Sequence, residues 1–544
     1  MQTAPGSQFP CTFVLMLALF LLTLVGAVGT ASAQTYTVLH AFNSDSAGPQ
    51  DFTYAGYIVQ GRDGNLYGLS DGGGTSNGGT FFRVTPTGME TTLFSFDGTH
   101  GAVPDLGLTL GSDGNFYGAA ITGGSSGHGV VYKLTPAGAN TVLHNFTNTT
   151  DGSAPNAPPV QAKDGSYYGT TNFFPGSTLY KVSSAGVFKT LRTMTAAEGW
   201  DPSFILGTDG ILHGSAGQGG ANGDGTLFKV TTAGVYTVLH NFTGTDGNMP
   251  FRPLVQATDG SFYGITAAGG TTNDGVIYKI TSGGVFSVLH NLNGATDGRN
   301  SEAGLMQASD GNLYGTTFTG GTLGGGTIFK ITTTGVFTVV HTFDISNVSN
   351  GENPASNLGQ HTNGLLYGDT HGGPGSNGVF YSLNIGTAPF AKLALTSAKA
   401  GTSVGIFGQG FLTATGVTFG GVPGTFTAAG DNYMTATVPT GAKTGPVVVL
   451  IPSGNLTSSA TFKVTPMITS FTPPSGPVGT VVTITGTGLV QTFKVTFGGV
   501  AATAFSVFSG TLVTATVPVG AKTGKITITT QGGVATSTAT FTVH

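Results

Sequence analysis

Short stretches of alternating apolar and polar residues run along most of the chain, and between residues 35 and 390 they come in groups of four. One group reads Gly304-Leu305-Met306-Gln307-Ala308, Asn312-Leu313-Tyr314-Gly315-Thr316-Thr317, Gly326-Thr327-Ile328-Phe329-Lys330-Ile331 and Gly335-Val336-Phe337-Thr338-Val339-Val340-His341. Period-two alternation in segments rich in Val, Ile, Thr and aromatic rings, bounded by glycine turns, predicts four short strands in one meander. Copies of the third segment recur at Thr80 to Val84, Val130 to Leu134, Thr178 to Val182, Thr226 to Val230, Val276 to Ile280 and Val379 to Leu383. Copies of the fourth lie around Leu93, Leu143, Leu191, Leu239, Leu289 and Val339.

The clearest marker of each group is Asp-Gly, once Asn-Gly, followed three residues later by an aromatic ring and a glycine. It occurs at Asp63-Gly64-Asn65-Leu66-Tyr67-Gly68, Asp113 to Gly118, Asp164 to Gly169, Asp209 to Gly214 (with His213 for tyrosine), Asp259 to Gly264, Asp310 to Gly315 and Asn363 to Gly368. A period of about fifty residues is the mark of a repeat architecture. Four-stranded units of that length suit the blades of a ring, so the expected fold is all-β, a seven-bladed β-propeller. The first such element, Tyr36-Thr37-Val38-Leu39-His40-Ala41-Phe42, matches a fourth strand with no three strands before it. It is therefore expected to close the ring as the outer strand of the seventh blade. Strand parity sends the tight turns to one end of each blade and the long loops, such as Thr319 to Gly326 and Asn241 to Arg252, to the other. Loops on a rigid scaffold are where binding residues usually sit, which makes that face the candidate binding surface.

Composition narrows the function. Only 8% of the residues are charged, against roughly 25% in ordinary soluble proteins, and the 92 glycines recur at fixed places among strand formers. A net charge of -5 over 544 residues offers no basic stripe for nucleic acid and no polybasic membrane patch. Thr12 to Val28 is mostly apolar and leads to Ala31-Ser32-Ala33, which reads as a secretory signal over residues 1–33, cleaved after Ala33. An uncleaved anchor is the alternative, since no Lys or Arg precedes the run. With Cys11 removed, the mature chain has no cysteine, and its stability must come from core size and closure instead of cross-links.

The recurring order Asp310-Gly311-Asn312-Leu313-Tyr314-Gly315-Thr316-Thr317, Gly320-Gly321, Gly326 to Ile331 and Val339-Val340-His341 resembles the GloVer tandem repeat of bacterial choice-of-anchor proteins, over about residues 35–390. That resemblance implies an exported or surface-displayed protein and brings no catalytic residues with it. The fourth copy departs with His213, and the third reads Asn172-Phe173-Phe174-Pro175-Gly176 where paired glycines are usual. Beyond it, Val417-Thr418-Phe419-Gly420-Gly421-Val422 and Val438-Pro439-Thr440-Gly441-Ala442-Lys443-Thr444-Gly445 reappear as Val495 to Val500 and Val517 to Gly524. These two copies resemble IPT/TIG domains, and their alternating strands suit immunoglobulin-like β-sandwiches. The expected domains are thus 34–386, 387–465 and 466–544, the last two forming a semi-rigid stalk.

Each candidate motif has a plain structural reading. Asp-Gly favours a hairpin turn in which both central residues take positive φ. The fourth-strand histidines His40, His144, His240, His290 and His341 lie on different blades, too far apart to share a zinc ion. Gly123-Gly124-Ser125-Ser126-Gly127 matches a nucleophile elbow by letters only, because that motif needs a strand-to-helix turn. No phosphate loop or His-Glu-x-x-His sequence is present, and neither a cofactor nor a metal is expected. More informative are residues that break the repeat in the long loops, namely Trp200, Asp201, Arg252, Arg299, Asn300 and Glu352. Trp200 is the only tryptophan, and an aromatic face beside polar groups suits sugar or peptide contacts as well as packing. The reading is a non-enzymatic exported binding protein, whose propeller head recognises an extracellular glycan or protein from an Ig-like stalk. The alternatives are a glycan hydrolase or lyase using carboxylates among Asp201, Glu302, Glu352 and Asp369, and a structural surface-layer component.

Overall fold

The computed structural model describes residues 34–42, 49–52, 58–104, 107–172 and 176–544, with backbone alone at 49–52. The expected signal segment and its cleavage site lie outside the described residues. Among the described residues strands dominate, and helical structure is confined to three single 3-10 turns.

Each group of four predicted strands folds as one antiparallel sheet. In the second, Thr109–Leu110, Phe116–Ala120, Val130–Leu134 and Asn140–Asn145 lie side by side in chain order, and the third to sixth sheets repeat that order. The first sheet carries an additional strand, Pro49–Phe52, beside Leu66–Gly73. The seventh is composite: Gly359–Gln360, Leu366–Asp369 and Val379–Asn384 are its own strands, and Thr35–Ala41 takes the fourth place. This N-terminal strand matches the other six in detail. Every outer strand has a bulge at one residue of its repeat, at Leu93, Leu143, Leu191, Leu239, Leu289 and Val340, and the N-terminal strand has it at Leu39. Bulges twist an edge strand and spoil it as a template for foreign strands. The next sheet's hairpin turn packs on the bulge so closely that a Cβ at Gly88 or Gly138 would overlap the carbonyl of Leu39 or Leu93.

Among the described residues, the apolar side chains of the seven sheets are buried in clusters between neighbours and not in one shared core. Tyr67 and Phe81 of the first sheet pack on Phe116 of the second, and Tyr117 of the second on Tyr167 of the third. The series continues through the remaining sheets to Phe343 of the sixth against Tyr381 of the seventh. It returns to its start where Phe42, Tyr367 and Phe380 of the seventh sheet meet Ile58, Leu66 and Phe82 of the first. Polar clasps follow the same circuit. The amide oxygens of Gln161, Gln256, Gln307 and Gln360 accept from the backbone N–H of Ser112, Thr208, Thr258 and Ser309 in the preceding sheet, at 2.8–2.9 Å. Gln60 accepts in the same way from Thr362 of the seventh sheet at 3.1 Å.

The fourth-strand histidines belong to this joinery. His144, His240 and His290 stack on Phe188, Phe286 and Phe337 of the next sheet, and His341 stacks on Tyr36 of the N-terminal strand at 4.0 Å between ring centres. Three of them also bond an aspartate of the following loop, in the pairs His144–Asp151, His240–Asp246 and His290–Asp297.

The remaining strands form two sandwiches in tandem, each with two main sheets around one apolar core: Val404, Phe419, Val447 and Phe462 in one, Val482, Phe497, Ile526 and Phe541 in the other. The first sandwich touches the Asp63-Gly64 turn of the first sheet and the Asn363-Gly364 turn of the seventh. The Asn432 amide donates to the carbonyl of Asp63 at 2.9 Å, the Arg62 guanidinium lies 4.5 Å over the Tyr433 ring, and Thr362 Oγ1 donates to the carbonyl of Gly408 at 3.3 Å.

Removing residues 35–41 strips the seventh sheet of its outer strand and at least three packed apolar side chains, worth roughly 1.5–3 kcal/mol each as an upper bound. The expected outcome is a sharply lower melting temperature in a thermal scan; an unchanged curve would contradict the closure.

Candidate functional site

The Asp-Gly motif is consumed by its own turn. Gly64 N–H donates to the carbonyl of Gly61, Asp63 Oδ1 accepts from the Asn65 N–H, and the Tyr67 hydroxyl donates to Asp63 Oδ2 at 2.9 Å. The tyrosine-to-aspartate bond recurs at Tyr117, Tyr168, Tyr263 and Tyr314, over 2.7–3.0 Å. His213 preserves it, placing Nε2 3.0 Å from Asp209 Oδ2, and Asn363 reverses it by donating to the Tyr367 hydroxyl. The turn type differs from expectation. Positive φ falls on the glycine alone, +82° at Gly64 and +87° at Gly114, because the aspartate side chain must stay oriented to cap the turn. Gly123-Gly124-Ser125 likewise lies in a β-loop, where Ser125 N–H donates to Asn145.

The opposite face carries the long loops. Trp200, Arg299 and Glu352 occupy equivalent places in the fourth, sixth and seventh units, each paired with the far end of the second strand: Trp200 with Gln218, Arg299 with Thr319, Glu352 with Gly372. Arg252 does not share their place, since the residue paired there in its unit is Asn248. Asp201 and Asn300 follow at a position that is left-handed in six units, together with Val103, Ala154, Met249 and Asn353. Their conformation is a feature of the ring: Val103, Ala154, Met249 and Asn353 each donate their N–H to a loop of the preceding sheet. Trp200 and Asp201 are also not loop residues as expected, but begin the strand Trp200–Leu206.

Of the six nominated residues, the structure brings two together and adds others. Asp201 Oδ1 accepts from the Asn156 and Asn172 amides at 2.7 and 3.2 Å. Burial pushes the Asp201 carboxyl above the usual carboxylate range, against the opposing pull of the Asn156 amide and the Arg252 charge. Arg252 forms an ion pair with Glu302 and lies 4.2 Å over the Phe251 ring. The result is a polar arc over four sheets: Asn156 and Asn172 on the third, Asp201 on the fourth, Arg252 on the fifth, Glu302 on the sixth. Arg299, Asn300 and Glu352 make no side-chain bond to this arc among the described residues, while Trp200 adjoins Asp201 in the chain. The nominations missed Asn156 and Phe251, which share with Glu302 the second place after the left-handed residue. Comparing that one column of the repeat would have found them.

Asp369 is misplaced by the sequence reading. It ends the strand Leu366–Asp369 at 4% exposure, in the register that Thr170 and Ser215 hold in their sheets, and does not reach the open loop face. Those two hydroxyls donate to carbonyls of the next sheet, at Pro202 and Arg252.

A family model described as the Gloeobacter/Verrucomicrobia repeat matches residues 28–206 and 201–438. The chain belongs to the Gloeobacter/Verrucomicrobia repeat family. In this repeat protein an IPT/TIG domain follows, matched over residues 466–543. No curated protein is detectably similar to the chain. Several solved structures bear a distant likeness to the repeat protein. TolB from Acinetobacter baumannii is 14% identical over 62% of this chain and 70% of its own, with a TM-score of 0.34. A protein of unknown function from Bacteroides thetaiotaomicron is 12% identical over 65% and 76%, at 0.37. The surface glycan-binding protein PbSGBP-B from Prevotella bryantii is 16% identical over 28% and 42%, at 0.23. These likenesses are too slight to carry function.

Asp369 yields a prediction for the repeat protein. Burial pushes its carboxyl up to about 7, with the Ser356 hydroxyl opposing. A carboxyl raised in the folded state contributes its full stability below the unfolded value near 4 and loses it as pH rises through 7. Asp369→Asn should therefore raise the melting temperature at pH 8, by up to about 4 kcal/mol in stability, and change little at pH 4. Parallel thermal scans at the two pH values measure the difference.

Proposed function

We propose that the protein is an exported binding protein: a seven-bladed β-propeller over residues 34–386, carried on two immunoglobulin-like domains at 387–465 and 466–544. In this reading the predicted signal directs export, and the propeller head recognises an extracellular glycan or protein. The observation that carries it is the placement of the first sandwich against the turns at Asp63-Gly64 and Asn363-Gly364, through Asp63 and Thr362. A stalk on that side turns the long-loop face away from it, and that face holds the arc of Asn156, Asp201, Arg252 and Glu302 together with Trp200. Fold alone assigns no activity, so the site has to bear the argument.

One observation favours a second reading. Arg252 gathers two carboxylates, pairing with Glu302 and acting electrostatically on Asp201, whose carboxyl is raised by burial. Two carboxylates gathered around one arginine are groups that acid–base cleavage of a glycan can use. On that reading Asp201→Asn abolishes chain cleavage and leaves binding intact.

The test displays residues 34–544 by the C-terminus against a glycan array and intact bacterial surfaces. Binding should fall when Trp200→Ala and Arg299→Ala are combined on the loop face, and should persist with Asn115→Ala on the opposite face. Binding that survives the loop-face pair and fails with Asn115→Ala would overturn the assignment of the face.

A further inference from the structure

Departures from the repeat cluster in the fourth sheet and on the outer strand of the third sheet that packs on it. Leu206 stands where five other units have a clasping glutamine, and His213 where six have tyrosine. On the outer strand of the third sheet, Arg192 stands where His144, His240, His290 and His341 stack in theirs; it pairs with Glu198 and lies over the Tyr236 ring of the fourth sheet. Five residue steps separate Asp201 from Leu206, against seven from Met249 to Gln256. Trp200 opens the strand, and Asp201 is the one acidic residue among the six left-handed positions. In a repeat protein each unit can satisfy its neighbours with the common residues, and local rules are broken chiefly where function or strain demands it.

The chemistry around that sheet is specific in kind. Asp201 Oδ1 holds two amides, and Oδ2 makes no hydrogen bond among the described residues. Gly217 lies beside it, at a position where a Cβ would meet Phe251 and approach Asp201 Oδ2. The lack of a side chain there lets Phe251 pack closely beside the carboxyl. Donors and acceptors alternate from Asn172 to Asp201, Arg252 and Glu302, and the Arg252 charge is matched by Glu302. With two carboxylates and one guanidinium the set offers nothing to a polyanion, and a single excess carboxylate already bonded to two amides is too little to hold a polycation. The set suits a ligand with many hydroxyls, each both donor and acceptor, lying beside the aromatic rings of Trp200 and Phe251. Extension over four sheets suits a chain of such units more than a single sugar.

We infer that the arc from Asn156 to Glu302, centred on Asp201 and Trp200, binds an uncharged, hydroxyl-rich polysaccharide chain. This rests on the reading of the protein as a binding head and names the ligand class of the same face. The test is calorimetric titration of residues 34–544 with neutral gluco-, xylo- and manno-oligosaccharides of increasing length, with oligogalacturonate and a mixed peptide pool as controls. One neutral series should bind, with affinity rising with length before levelling off. Trp200→Ala and Asp201→Ala should each weaken it about tenfold or more. Asp201→Asn and the melting curve of each variant separate ligand contact from folding, because Asn retains the shape and one acceptor. Oligogalacturonate or peptide binding that the same substitutions abolish would keep the binding head and refute the neutral ligand. Neutral-chain binding indifferent to both substitutions would refute the site, and no binding by any probe would remove both readings.

Discussion

The structure depends on circular closure. Each sheet buries its apolar faces only against its two neighbours, so an open row would leave one face of the first sheet and one of the seventh in water. The joint that prevents this is made from chain segments more than three hundred residues apart. Thr35–Ala41 pairs with Val379–Asn384, Tyr36 stacks on His341, and Gln60 accepts from Thr362. Without cysteine in the expected mature chain, nothing covalent assists it. Burial of His341 holds its imidazole at about 4, so the ring at this joint stays neutral and stackable at ordinary pH.

Closure also determines which surface is available. Because strands alternate in direction, the Asp-Gly turns lie at one end, where Arg62, Asp63 and Thr362 meet the first sandwich. The repeat is regular there because the turn is regular: Asp caps it, Gly permits it and Tyr anchors it. At the other end four of the six left-handed residues, Val103, Ala154, Met249 and Asn353, secure one sheet to the next through their backbone N–H, a contact that does not depend on the side chain. The polar arc is built from that freedom.

Much of the fold was legible in the sequence because period-two alternation and Asp-Gly spacing are local signals. The N-terminal strand could be placed by its likeness to later fourth strands, although its bulge at Leu39 appears only in the register of the paired strands. The turn type was misread, since the letters Asp-Gly do not reveal that the carboxylate also takes a tyrosine hydroxyl four residues on. The candidate site was half legible. Trp200, Asp201 and Arg252 stand out as departures from the repeat, but the pairing of Arg252 with Glu302 and the reach of Asn156 to Asp201 cross between sheets. Asp369 was misjudged for the same reason: in sequence it is one more scarce acid, and only burial shows it to be part of the wall.

Closure can be tested by a single engineered cross-link at the joint. Thr37 and Ser382 are register partners in the seventh sheet, and cysteines at both positions would face each other across the N-terminal strand. In T37C/S382C residues 34–544, the account predicts spontaneous disulfide formation and an oxidised form that melts above both the reduced form and the parent. Free thiols under oxidising conditions, or a cross-linked form that melts below the parent, would contradict it.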